Sequence, residues 1–118
     1  MGGEQEKQRS ADIRGNKVVL AELVNYQEGS IVSQTIMEKK AGTVSLFAFD
    51  QGQGLSEHTT PYDALVNIID GEAEVFISGK QHHLKTGEAL VLPANQSHAL
   101  KAQKKFKMML VMIISREP

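Results

Sequence analysis

GQGLSEHTTPYDALVNIIDG, residues 52–71, and GEALVLPANQSHALKA, residues 87–102, decide how this chain is read. Each opens on a glycine turn, carries one histidine beside a loop, and holds a short run of Val, Leu, Ile or Ala bounded by further turn residues. Short apolar runs punctuated by Gly, Pro and Asn are the pattern of β-strands, because a helix needs a longer segment with a 3.6-residue period.

The same rhythm extends in both directions. Runs at 30–38, 43–50, 64–70, 73–79, 88–93, 97–103 and 106–115 alternate with turns at Ala41-Gly42, Gly52-Gln53-Gly54, Asp70-Gly71, Ser78-Gly79-Lys80 and Thr86-Gly87. Asp70-Gly71 is the strongest hairpin signal, since both central positions of a type I′ turn need positive φ. No stretch is long and helical enough to cross between parallel strands. The expectation is an all-β domain of short antiparallel strands, closed on itself to hide its edges. Residues 18–26 (VVLAELVNY) read as a short helical turn entering a strand. Residues 1–16 are polar and aperiodic and read as a flexible arm, which leaves 17–118 as the domain proper.

Composition narrows the function. A chain of 118 residues suits one domain. Cysteine is absent, so disulfides, thiolate nucleophiles and Cys-ligated metals are excluded. Thirteen Lys and Arg against fourteen Asp and Glu give a net charge of −1, which lacks the basic footprint of a nucleic-acid binder. The longest apolar run, residues 108–114, is far short of the roughly 20 residues of a membrane-spanning helix. The N-terminal residues lack the apolar stretch of a secretory signal, and the expected compartment is the cytoplasm. Leu65, Val66, Ile68 and Ile69 sit together, as do Met108 to Met112 and Ile113, so these strands are apolar on both faces. That pattern predicts a covered outer face, most simply in a homodimer.

The residues at fixed spacing carry a family resemblance. Gly52-x5-His58-x-Thr60-x3-Ala64-x6-Gly71 resembles the first conserved motif of the cupins, G-x5-HxH-x3-4-E-x6-G, and Gly87-x5-Pro93-x-Asn95-x2-His98-x3-Ala102 resembles the second, G-x5-PxG-x2-H-x3-N. The resemblance covers roughly residues 30–115. It implies a double-stranded β-helix of the jelly-roll, RmlC-like type with a pocket inside the barrel. Asn95 replaces the turn glycine, a mild change because Asn tolerates a left-handed backbone. In metal-binding cupins two His and a Glu (or a third His) from the first motif and one His from the second surround a divalent ion. Here the resemblance keeps His58 and His98 as the metal pair, which could hold Zn, Fe, Ni, Cu or Mn weakly. It departs at Thr60, a poor ligand, and at Ala64, which is none. Strand parity turns Asp63 and Glu57 away from the vacant positions unless a bulge intervenes.

The expected ligand pocket comprises His58, Thr60, Tyr62, Asp63 and His98. Tyr62 offers a stacking face and a phenol, and Asp63 a carboxylate base, although Pro61-Tyr62-Asp63 is also ordinary turn chemistry. His82 and His83 read as a solvated hairpin, and Lys101 to Lys107 (KAQKKFK) as a solvated strand edge. Met37, Met108, Met109 and Met112 read as core filler. Three functions stay open. One is a module that binds a small organic molecule without catalysis. The second is a metal-dependent enzyme of dioxygenase, isomerase or lyase type, and the third a metal-free isomerase or epimerase with His58 or His98 as base. The reading adopted is small-molecule binding in the barrel, with catalysis and catalytic residues left unassigned.

Overall fold

The computed structural model describes residues 8–10 and 12–114, and these are almost entirely β. In chain order the strands are β1 Gln8–Ser10, β2 Ile31–Lys39, β3 Gly42–Phe49, β4 Gly54–His58 and β5 Asp63–Ile77. They continue as β6 Lys80–Lys85, β7 Ala89–Leu92, β8 His98–Lys101 and β9 Phe106–Ile113. A 3-10 turn, Leu20–Glu22, falls where the short helical turn is expected, although the next strand starts only at Ile31.

Two sheets share β5. Its first half, residues 63–71, lies in the order β1-β2-β3-β9-β5-β7, and its second half, residues 72–77, in the order β6-β5-β8-β4. The pairings are antiparallel except β1 with β2, where residues 8–10 of the expected arm run parallel to Ser33, Gln34 and Thr35. The sheets curl round one core as a β half-barrel of jelly-roll type.

Asp70-Gly71 is not a hairpin. β5 passes through it as one strand of 15 residues. Gly71 does take φ +79, but a single left-handed residue bends the strand instead of reversing it. The register with β9 slips between Ile68 and Asp70, and Gly71 pairs with Phe106 at the point where β5 leaves β9 for β6 and β8. A bulge with a bend is how a strand changes sheets. The tight hairpin lies at Ser78-Gly79, with φ 49 and 82 between paired Ile77 and Lys80, a type I′ turn.

Inward positions follow the two-residue period. Phe49, Val66, Ile68, Val75 and Phe106 are fully buried between the sheets, and the rings of Phe49 and Phe106 stack with centroids 4.5 Å apart. β4 and β6 escape a reading by apolar runs because only Leu55 in the one and Leu84 in the other are aliphatic. Tertiary pairing, with β8 and β5 respectively, makes them strands.

A second cluster lies on the outer face of the first sheet. Val24 packs on Leu46 and Ala48, with Leu20, Leu23, Ile69 and Met109 around them. The segment is pinned by Tyr26, whose hydroxyl donates to Asp70, and by Lys107, whose ammonium donates to the Ala21 carbonyl. The ammonium groups of Lys105 and Lys107 lie 4.8 and 5.0 Å from the centre of the Tyr26 ring, within cation–π range. Lys107 of KAQKKFK therefore clamps this segment, whereas Lys101, Lys104 and Lys105 are exposed, as expected of a solvated edge. Part of the two-faced apolar pattern is thus explained within one chain.

Candidate functional site

His58 ends β4 and His98 begins β8, and the two are direct partners across the antiparallel pair. Leu55 pairs with Leu100, so β4 spends three residues where β8 spends two. Strict alternation from Leu55 would put Glu57 inside and His58 outside. The extra residue reverses the parity, which aims His58 into the barrel and leaves Glu57 outside, accepting a hydrogen bond of 2.8 Å from the Ser97 hydroxyl. The rings meet at 71° with centroids 4.3 Å apart, and their Nε2 atoms are separated by 3.1 Å.

Each ring is backed by the main-chain carbonyl two residues before it. The Nδ1 of His58 faces the Ser56 carbonyl at 2.8 Å, and that of His98 faces the Gln96 carbonyl at 3.3 Å. Asn95, at φ 69, takes the left-handed turn expected of it and donates its N–H to the Thr60 carbonyl at 2.7 Å. Burial holds the pKa of His98 below the ordinary imidazole value, and repulsion from His58 lowers it further.

Behind the pair is a cavity of about 60 Å³. His58, His98 and Thr60 supply its polar end, and Leu55, Val66, Leu92, Leu100, Met108 and Leu110 wall the rest, with Ala64 and Met112. Met108 and Met112 serve as apolar lining, in keeping with filler. Met37 is instead half exposed, on the outer face of the first sheet.

Of the expected pocket residues, His58, Thr60 and His98 converge on this cavity, whereas Tyr62 and Asp63 take no part in its lining. Asp63 pairs with Ile113 on the outward parity, and its carboxylate accepts the Ala94 N–H at 2.8 Å, tying the β7–β8 loop to the start of β5. The aliphatic wall residues are contributed by five strands and become a cavity only through packing.

The donor set does not match a resident metal. The Thr60 hydroxyl donates to the Tyr62 carbonyl at 3.0 Å, and Ala64 offers only a methyl group. Among the described residues no three His, Cys, Asp or Glu side chains converge to hold an ion. Two imidazoles fall short of the three or four protein ligands of a tight site.

A second polar cluster lies on the outer face of the second sheet. His83, expected to be a solvated hairpin residue, is bracketed by carboxylates: Glu74 at 2.5 Å from Nδ1 and Glu72 at 2.9 Å from Nε2. Glu74 is buried and also accepts from the Gln81 amide at 2.7 Å. The hydrogen bond to Glu74 raises the His83 pKa, and those from Gln81 and His83 lower that of Glu74. The β5–β6 register pairs Glu74 with His83, nine positions apart in the chain, a link that local sequence conceals. His82 pairs with Val75 and shares the inward face.

The comparisons agree with this geometry. The family model described as "Cupin domain" matches residues 45–114, more than half of the chain, and the chain belongs to the cupin family. Among solved structures, it is 42% identical to a cupin 2 conserved barrel domain protein from Leptotrichia buccalis (TM-score 0.77), covering 80% of this chain and 46% of that one. A conserved protein of unknown function from Streptococcus pyogenes is 29% identical with TM-score 0.83, covering 88% of this chain and 91% of its own. A cupin superfamily protein from Desulfitobacterium hafniense is 27% identical with TM-score 0.81, covering 86% of this chain and 94% of its own. No curated protein matches. No helix among the described residues is long and apolar enough to cross a membrane.

Proposed function

We propose that this cupin domain binds a small organic molecule inside its barrel, with His58, His98 and Thr60 at the polar end of the site. The observation that carries this reading is the cavity itself: apolar walls and a few convergent polar groups on rigid strands are the make-up of a small-molecule site. The test is methyl-resolved NMR against a panel of small acids, alcohols and amides. Binding shifts the methyl signals of Leu92, Leu100 and Met108, and His58→Ala weakens it. A panel that leaves those signals unmoved overturns the reading.

One observation favours a second reading, a weakly held divalent ion. Both Nε2 atoms converge while both Nδ1 atoms face carbonyls, the backing typical of ligating imidazoles. Elemental analysis of untagged protein and of His58→Ala tests it: metal near one per chain, lost in the variant, establishes the ion and reopens the metal-dependent enzyme.

We also propose that two copies meet on the outer face of the first sheet, beyond the segment at residues 20–26. Met37, Val44, Val111, Leu65 and Val91 form one uncharged row in register across β2, β3, β9, β5 and β7. Its ends, Met37 and Val91, are each 51% exposed. A two-fold axis at the central Val111 superposes the row on itself, as an isologous contact requires. Val111→Glu should shift the light-scattering mass from dimer to monomer, and a monomeric parent chain refutes the idea.

A further inference from the structure

The inner face of the first sheet changes character at the level of the cavity. Along β3 its side chains run Phe49, Phe47, Ser45, Thr43, and along β2 Ile31, Ser33, Thr35. Phe49, Phe47 and Ile31 pack in the core, and above them both strands turn to hydroxyls. Register carries two of these rows across the sheet. Thr35 and Ser45 continue into Leu110 and Val66, and Thr43 into Met112, Ala64 and Leu92. Those five apolar residues line the cavity, so its floor runs on across β3 to β2 as a shelf of hydroxyl groups.

Core packing alone gives no reason for this change, because a closed interior continues with apolar side chains. Thr35, Thr43 and Ser45 are half-buried, neither sealed in the core nor turned outward. The Thr35 and Ser45 hydroxyls lie 3.4 Å apart and share one hydrogen bond, which uses one of their two O–H donors. The pair keeps one donor and several lone pairs for a partner that both donates and accepts. Among the described residues of β2, β3, β9, β7 and the first half of β5, the one charged side chain of inward parity is Glu38, which pairs with Thr43 at the exposed end of β2. Its carboxylate accepts from hydroxyl groups and repels anions. The apolar part of the space is small: about 60 Å³, against about 150 Å³ for a cavity that binds benzene, which suits an alkyl group of about three carbons.

We infer that the cavity and this shelf together take an uncharged ligand with a short alkyl end and a hydroxyl-bearing head, the alkyl end in the cavity and the head over Ser45 and Thr35. The inference rests on the reading of the cavity as a small-molecule site and adds the polar half of the ligand. Neighbouring strands lie about 4.8 Å apart, so Ser45 and Thr35 stand about 5 and 10 Å from Leu110 along their row. A vicinal diol joined to a propyl group through one ether oxygen spans that distance. Its hydroxyls give hydrogen bonds to the lone pairs of Ser45 and Thr35 and accept the remaining O–H. An anionic head meets Glu38 and finds no cation on the shelf.

The experiment titrates the whole chain with four probes that share a propyl end: 3-propoxypropane-1,2-diol, 1-propanol, propyl phosphate and 3-propoxypropylamine. Methyl NMR reads the cavity at Leu92, Leu100 and Met108 and the shelf at the Thr35 methyl. The diol ether is expected to shift both sets of signals and to bind roughly tenfold tighter than 1-propanol, as one or two net hydrogen bonds allow. The phosphate and the amine are expected to bind no tighter than 1-propanol. Thr35→Val and Ser45→Ala, each checked for a native spectrum, should bring the diol ether down to the affinity of 1-propanol and leave 1-propanol unchanged. The comparison of probes on the parent chain decides the matter even where a variant fails to fold. Equal affinity of diol ether and 1-propanol, tighter binding of the phosphate or the amine, or full diol affinity in both folded variants overturns the shelf and leaves the small-molecule reading standing. If no probe moves the cavity methyls, both readings fall.

Discussion

Gly71→Ala separates two costs that the corner of β5 imposes. The residue sits at φ +79, where a side chain costs about 1–2 kcal/mol. An added Cβ would also press into the Lys105 carbonyl oxygen and stand 3.0 Å from the Phe106 Cα and 3.2 Å from its Cβ, both in the strand opposite. Those neighbours belong to a backbone held in register and to a fully buried ring, so they yield only by moving the pairing, at about 1–3 kcal/mol for overpacking. Gly79→Ala is the control: φ is +82, but nothing lies within 4 Å of the new Cβ. The control should lose about 1 kcal/mol once the stiffer unfolded chain is set against the strain. Gly71→Ala should lose about 3 kcal/mol, or roughly 12 °C in Tm against about 4 °C for the control. Urea denaturation with a common m-value reads both. Equal losses in the two variants would refute the account of Gly71 as the point where β5 changes sheets under the Lys105 carbonyl.

His83→Gln should destabilise most between about pH 4.5 and 6.5. A raised folded pKa for His83 gives stability that is full below 6.5 and fades as pH rises through the folded value. A depressed one for Glu74 gives stability present above 4.5 and lost as pH falls through its folded value. A pH-independent difference in urea midpoint would rule out this bracketed imidazolium. Tyr26→Phe removes the hydroxyl that reaches Asp70 and should cost about 1 kcal/mol, with faster amide exchange confined to residues near 20–26. Uniform exchange would mean that the segment is held by Val24 packing alone. The double variant Thr60→His, Ala64→Glu should bind Zn2+ or Mn2+ near one per chain, because it supplies the two donors missing beside His58 and His98. Calorimetry showing no gain over the parent would mean that these positions do not face the Nε2 pair.

Much of the architecture lies in local patterns. Glycine spacing and apolar runs of strand length specify an all-β domain, because turn chemistry and two-residue alternation act over a few neighbouring positions; the jelly-roll form is what the resemblance of the paired motifs to the cupins implies. The histidines at 58 and 98 are legible for the same reason. Other features depend on which strands pair. Asp70-Gly71 has the composition of a hairpin, yet β8 and β6 are at hand to carry β5 onward, so the left-handed glycine became a bend. The parity of His58 rests on one extra residue in β4 opposite β8, which no period within GLSEH discloses. Glu74 and His83 meet only through the β5–β6 register, and residues 20–26 cover an outer face that looked, from the strands alone, to need another chain. The sequence by itself determined the apolar strands, most of the turns and the pair of imidazoles, since these follow from short-range backbone preferences. Only the tertiary structure decided which faces those side chains share and what is enclosed, since cavities and cross-strand contacts are properties of packing between segments far apart in the chain.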